Sequence, residues 1–160
     1  MEIEVVVEIA KGGRNKYEYD QERGVFVLDR VLYSSVHYPT DYGFIPETLA
    51  ADGDPLDVMV MIEEPTFTGC HVLARPVGIL IMHDEKGQDE KVLSVPVRDP
   101  RFDHISDLDD VSPHLLKEIE NFFATYKTLE GKHTITLGWN NVEVALRTIE
   151  EARRAASNKQ

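Results

Sequence analysis

With Cys70 as its only cysteine, this 160-residue chain has no partner for an internal disulfide and no second thiol for a zinc site. No stretch approaches the roughly 18 apolar residues of a membrane-spanning helix. The start, MEIEVVVEIAKGG, is acidic where a secretory signal is positive, so cytoplasm is the expected location and no membrane partner is expected. The patterns GxxxxGK[ST], GxGxxG, GxSxG and HExxH are all missing, which removes glycine-loop nucleotide binding and the commonest hydrolase devices. The six histidines, at 37, 71, 83, 104, 114 and 133, lack close ligand spacing. Positive charge is scarce: 17 Lys and Arg against 29 Asp and Glu leave a formal charge of −12, which argues against a nucleic-acid partner. Such an excess is either a mutually repelling surface or, in part, a cation site. With no linker, low-complexity block or repeat, residues 1–160 are expected to form a single domain.

What is present reads as strands first and helices last. In residues 3–9, Ile3, Val5, Val7 and Ile9 share one face, and Glu4, Val6 and Glu8 share the other. Residues 16–20 alternate again, and further β runs cover 25–28, 57–62, 72–82, 91–97 and 133–137. Residues 34–46, SSVHYPTDYGFIP, read as an ordered loop, and DEKGQDE, at 84–90, as a turn. Ser112 and Pro113 open a helix with apolar residues from Leu115 to Tyr126, ending between Lys127 and Glu130. Asn140 with Glu143 predicts the start of a final helix along Val142, Ala145, Ile149 and Ala152. The pattern indicates an α+β domain built on a small barrel, without the alternation of a parallel sheet.

The chemistry concentrates in residues 52–57, DGDPLD, which run directly into the apolar VMVMI. Three close carboxylates repel one another unless water or a cation relieves them. A calcium loop of the EF-hand type fails here, because Leu56 and Asp57 stand where an oxygen ligand and the obligatory glycine belong. A solvated turn is the plain alternative. Against it stand Asp84, Glu85, Asp89 and Glu90 on a second acidic stretch, Glu8 and Glu18 on strand faces, and Lys16, Arg30 and Lys127 beside them. Carboxylates select hard cations such as Mg²⁺, these prefer phosphate oxygens, and Lys and Arg bind the remaining phosphate charge. Metal-assisted phosphoryl transfer is the expected chemistry.

The stretch D52-G-D-P-L-D57-V resembles the signature of the soluble family I inorganic pyrophosphatases. K16-Y-E18, D29-R30, Y38-P-T-D-Y42-G-F, R75-P-V-G, D84-E-K-G-Q-D89-E-K91 and Y126-K127 follow in the family's order. The resemblance implies a five-stranded OB-like β-barrel with two flanking α-helices, several Mg²⁺ ions per site with Mn²⁺ or other divalent ions able to substitute, and hydrolysis of pyrophosphate to two phosphates by a metal-activated water. It implies a short prokaryotic form assembled as a homohexamer. Position by position, it makes Asp52, Asp57, Asp84 and Asp89 metal ligands and Asp54 the general base. Lys16, Arg30, Tyr42, Lys91, Tyr126 and Lys127 become phosphate grips, and Glu8, Glu18, Tyr38 and Glu85 support the site. Arg75 and Trp139 are left outside it. Two other readings stay open: an oligonucleotide-binding module, which the negative charge disfavours, and a hydrolase of nucleoside polyphosphates.

Overall fold

The computed structural model describes residues 1–159. Eight strands, β1 (Ile3–Ile9), β2 (Asn15–Asp20), β3 (Val25–Val31), β4 (Asp41–Phe44), β5 (Asp57–Val60), β6 (His71–Asp84), β7 (Gly87–Pro96) and β8 (Ile135–Asn140), combine with two helices, α1 (Pro113–Thr125) and α2 (Val142–Asn158). The main sheet runs β1-β4-β5-β7-β6-β8, and β1 also pairs with β6, so five strands close into a ring with β8 added outside. All its pairings are antiparallel except β5 with β7. The strands β2 and β3 form a separate hairpin. This is the α+β arrangement of a closed strand set and two helices that the sequence indicates.

Alternation along the ring strands serves two apolar clusters. Met59, Leu80, Met82 and Leu93 pack with Ile119, Phe122 and Phe123 of α1. Their neighbours Val58, Val60, Ile79 and Val92 pack with Ala145, Ile149 and Ala152 of α2. Strands buried on both faces read as continuous apolar runs, which is why β5 and the middle of β6 and β7 are legible.

Several boundaries differ from expectation: β3 runs on to Val31, β5 stops at Val60 and β8 is shifted to Ile135–Asn140. The loop at 34–46 contains β4, whose Asp and Gly are poor strand formers. Gly43 is required there because a Cβ would lie 1.9 Å from the Val6 carbonyl oxygen of β1. The polar 84–90 stretch is mostly strand: β6 extends to Asp84 and β7 begins at Gly87, whose φ of +112° closes a turn of only two residues. Helix α1 stops at Thr125, and a separate 3₁₀ turn, Thr128–Glu130, ends at Gly131 with φ +75°. Asn141, not Asn140, caps α2, its side chain accepting from the Val144 N–H at 3.2 Å, while Asn140 ends β8. Ser112 precedes α1 but makes no side-chain cap.

Candidate active site

The DGDPLD turn is fixed before it reaches the sheet. The Asp54 N–H donates to Asp52 Oδ1 at 3.0 Å, Gly53 sits at φ +90°, and the Ala50 N–H donates to the Asp54 carbonyl at 2.8 Å. These contacts hold Asp52 and Asp54 out in solvent. Two residues on, Leu56 is fully buried and its N–H is held by Thr48 Oγ1 at 2.9 Å, so the chain passes from exposed acid to core within one turn. Asp57 then opens β5, opposite Lys91 of β7 in the parallel register.

Lys91 is the centre of the cluster, with only 2% of its surface exposed. Its ammonium donates to Tyr42 Oη at 2.7 Å, meets Asp57 at 3.1 Å and Asp89 at 3.0 Å, and lies over the rings of Tyr42 and Phe123. Burial works against its charge, but Asp57, Tyr42 and Asp89 outweigh it and raise its pKa well above the ordinary value. Asp52, Asp57 and Asp89 line one shallow concavity with Gln88 and Glu90. Burial lifts the Asp52 pKa; the Asp54 N–H offsets this, while the charges of Asp54 and Asp89 add to it.

Glu8, on the ring strand β1, accepts the Tyr19 N–H of β2 at 2.8 Å. Burial pushes its pKa up from 4.5 to about 7; the Tyr19 bond and Lys16 oppose this, and Asp57 and Glu18 add to it. Lys16 and Glu18 form an ion pair beside it. Arg30, opposite Lys16 in the hairpin, pairs with Asp29 and, at 2.8 Å, with Glu130. A third group comes from the end of α1, where Lys127 reaches Glu85 at 3.3 Å and Asp84 at 3.8 Å and lies over the Tyr126 ring. Tyr38, Tyr42, Phe122, Phe123 and Tyr126 pack ring to ring beneath Lys91, with Tyr38 against Phe122 at 4.7 Å. Burial raises the pKa of Tyr38, Tyr42 and Tyr126, so all three stay neutral hydroxyls at neutral pH.

The fifteen residues singled out from the sequence are thus linked, through contacts and charge interactions, into one cluster. Glu90, on the second acidic stretch, is half-buried in β7 and lines the concavity. Arg75 donates to the Phe102 and Ile105 carbonyls, a structural role, and Trp139 packs against the α1 cluster. Glu130 was not anticipated: nothing in the local pattern distinguishes it from a solvated acid after a helix.

Among the described residues, no three Asp, Glu, His or Cys side chains already stand in metal-ligating geometry. Lys91 instead occupies the place between Asp57 and Asp89. An all-oxygen carboxylate set open to water on one side fits a hard cation that keeps several of its waters, as Mg²⁺ does, and does not fit a dry cage.

The chain matches the family model described as "Inorganic pyrophosphatase" over residues 5–157. It is 56% identical over 149 residues to the inorganic pyrophosphatase of Methanosarcina acetivorans, covering 93% of this chain and 89% of that one. It is 57% identical over 152 residues to that of Haloferax volcanii, covering 94% and 86%. The crystal structure of inorganic pyrophosphatase from Thermus thermophilus superposes with a TM-score of 0.95 at 45% identity, covering 98% of this chain and 91% of that one.

Proposed function

Because the chain belongs to the inorganic pyrophosphatase family, we infer that the acidic face built around Lys91 is where it hydrolyses inorganic pyrophosphate to two orthophosphates. The observation that carries this placement is the buried Lys91, held by Asp57, Asp89 and Tyr42 beside the exposed Asp52 and Asp54. In this reading Asp54 accepts the proton of the attacking water. It is exposed and held by its own N–H on Asp52, so its carboxylate is free to face a substrate.

Lys16, Arg30, Lys91 and Lys127 grip phosphate oxygens, with neutral Tyr42 and Tyr126 donating hydrogen bonds to them. Glu8, Glu18, Tyr38 and Glu85 orient these groups. Divalent cations, Mg²⁺ first, would be held by Asp52, Asp57, Asp84 and Asp89, where they neutralise phosphate charge and acidify water. The Lys and Arg donors then stabilise the charge on the departing phosphate, so no protein nucleophile is needed.

A homo-oligomer, hexameric in the expectation from the resemblance, suits the exposed Val25, Val27, Leu28 and Val31 of the hairpin and Ile135 and Leu137 of β8. No helix of the described residues is long and apolar enough to cross a membrane, and a cytoplasmic location is part of the same proposal. Phosphate release from pyrophosphate, measured with Mg²⁺, with chelator and with Asp54→Asn, tests the reading. Release should require the metal and fall about 10²- to 10⁴-fold in the variant. Metal-dependent release at the wild-type rate in Asp54→Asn removes Asp54 as the base.

A further inference from the structure

Glu130 is the most buried acid around this face that none of the roles above employs. Its side chain is 5% exposed, and it lies in the 3₁₀ turn that follows Tyr126 and Lys127. Its Oε1 stands 2.8 Å from Arg30 Nε, but the Nε–H is not aimed closely enough to form a hydrogen bond, and Oε2 has no partner among the described residues. Arg30 Nη1 donates to Asp29 Oδ2. Nη1 is thereby hydrogen-bonded, Nε stands against Glu130 as an ion pair only, and Nη2 makes no hydrogen bond among the described residues.

A buried acid with an orphaned oxygen is a poor way merely to attach a hairpin to a helix end. An apolar contact would do that at lower cost. What an acid supplies and an apolar residue does not is orientation of a rigid, planar cation. The turn carrying Glu130 also begins directly after Lys127, so one short segment places one cation by chain connection and the other by charge.

We propose that Glu130 is a positioning residue for the reaction: with Asp29 it holds the Arg30 guanidinium so that the unclaimed Nη2 donor faces substrate phosphate. The inference rests on Arg30 being a phosphate grip, as in the reading above. Misplacing such a clamp costs turnover rather than stability, by up to about 10²-fold for a shift of roughly 1 Å.

The test is a double-mutant cycle of Glu130→Gln, Arg30→Ala and the double variant. It reads kcat and KM for pyrophosphate with Mg²⁺, the affinity for inorganic phosphate by calorimetry, and the thermal midpoint of unfolding. Glu130→Gln should lower kcat about tenfold and weaken phosphate binding with its thermal midpoint retained. In the Arg30→Ala background it should change kcat by less than about twofold. If the two losses multiply, Glu130 does not act through Arg30 and the inference is overturned while the Arg30 assignment stands. Wild-type kcat in Glu130→Gln overturns it equally. If Arg30→Ala keeps wild-type kcat and phosphate affinity, the Arg30 assignment itself fails. Should Glu130→Gln not fold, Glu130→Asp, which keeps the charge on a shorter arm, carries the same cycle with a smaller expected loss.

Discussion

Replacing Glu8 with Gln should make the metal-free protein more stable at alkaline pH and leave acid stability nearly unchanged. Burial raises the Glu8 pKa from 4.5 to about 7, against the opposing Tyr19 N–H and Lys16 charge. Below 4.5 the carboxyl is protonated in folded and unfolded chains alike, so its folded-state contribution is fully present. As pH rises through about 7 the buried group must ionise, and that contribution is lost. The gap between the two values corresponds to about 3 kcal/mol, reduced to about 2–3 kcal/mol because solvent reaches part of the side chain. A Gln side chain keeps an oxygen for the Tyr19 N–H, bonded at 2.8 Å, so the substitution removes the titration while sparing the contact. The assay is urea unfolding in chelator at one protein concentration, from about pH 4 to about pH 8, for both proteins. Every other group titrates in both, so their difference isolates Glu8. It should grow by about 2–3 kcal/mol in favour of Glu8→Gln, mainly between pH 4.5 and about 7. Parallel stability curves would refute the burial argument.

Two further perturbations probe the frame that holds the site. Lys91→Met leaves Asp57 and Asp89 facing each other without their cation. Unfolding in chelator should show a loss of about 3–5 kcal/mol, and a smaller loss with Mg²⁺ present; equal losses in both conditions would mean that these acids do not take the cation. Gly43→Ala drives a Cβ to 1.9 Å from the Val6 carbonyl oxygen, a backbone clash that no rotamer relieves. It should cost about 3 kcal/mol or more, and a thermal midpoint like that of the wild type would show that β1 and β4 separate more easily than their register implies.

How much of this was legible depended on whether a residue's role is carried by its type or by its partner. Asp52, Asp54 and Asp57 announce themselves because three acids crowd one turn and the next residues are apolar; the structure explains the change through Leu56, buried between exposed Asp54 and the sheet. Strand β4 was hidden because its burial comes from pairing with β1 and β5, while its own Asp, Tyr, Gly and Phe look like a loop. Lys91 could be placed in the site by resemblance, but its near-complete burial follows from β5 and β7 running parallel, a pairing between chain segments 34 residues apart. Glu130 meets Arg30 only after the hairpin and the end of α1 are brought together. Nothing within a short window of either residue encodes that contact.

The pairing pattern also bears on why such a site needs cations. Every basic candidate for a phosphate grip is already paired with carboxylate: Lys16 with Glu18, Arg30 with Asp29 and Glu130, Lys91 with Asp57 and Asp89, Lys127 with Asp84 and Glu85. These pairs let an acid-rich face fold without ligands, because each of the four buried or half-buried bases has an opposite neighbour. They also mean that a polyanion approaching this face alone meets donors that are mostly engaged and a surplus of acid, with Glu8, Asp52 and Asp54 in no ion pair with any of the four bases. Lys16, Lys91 and Lys127 become available to phosphate only as their carboxylate partners turn to another positive charge, whereas Arg30 keeps Nη2 free. Affinity for phosphate and affinity for divalent cation must then rise together, by the same factor in either direction. Phosphate titrated into the protein in chelator should therefore bind far more weakly than in Mg²⁺, and equal affinity in the two conditions would break the link between the paired charges and the reaction.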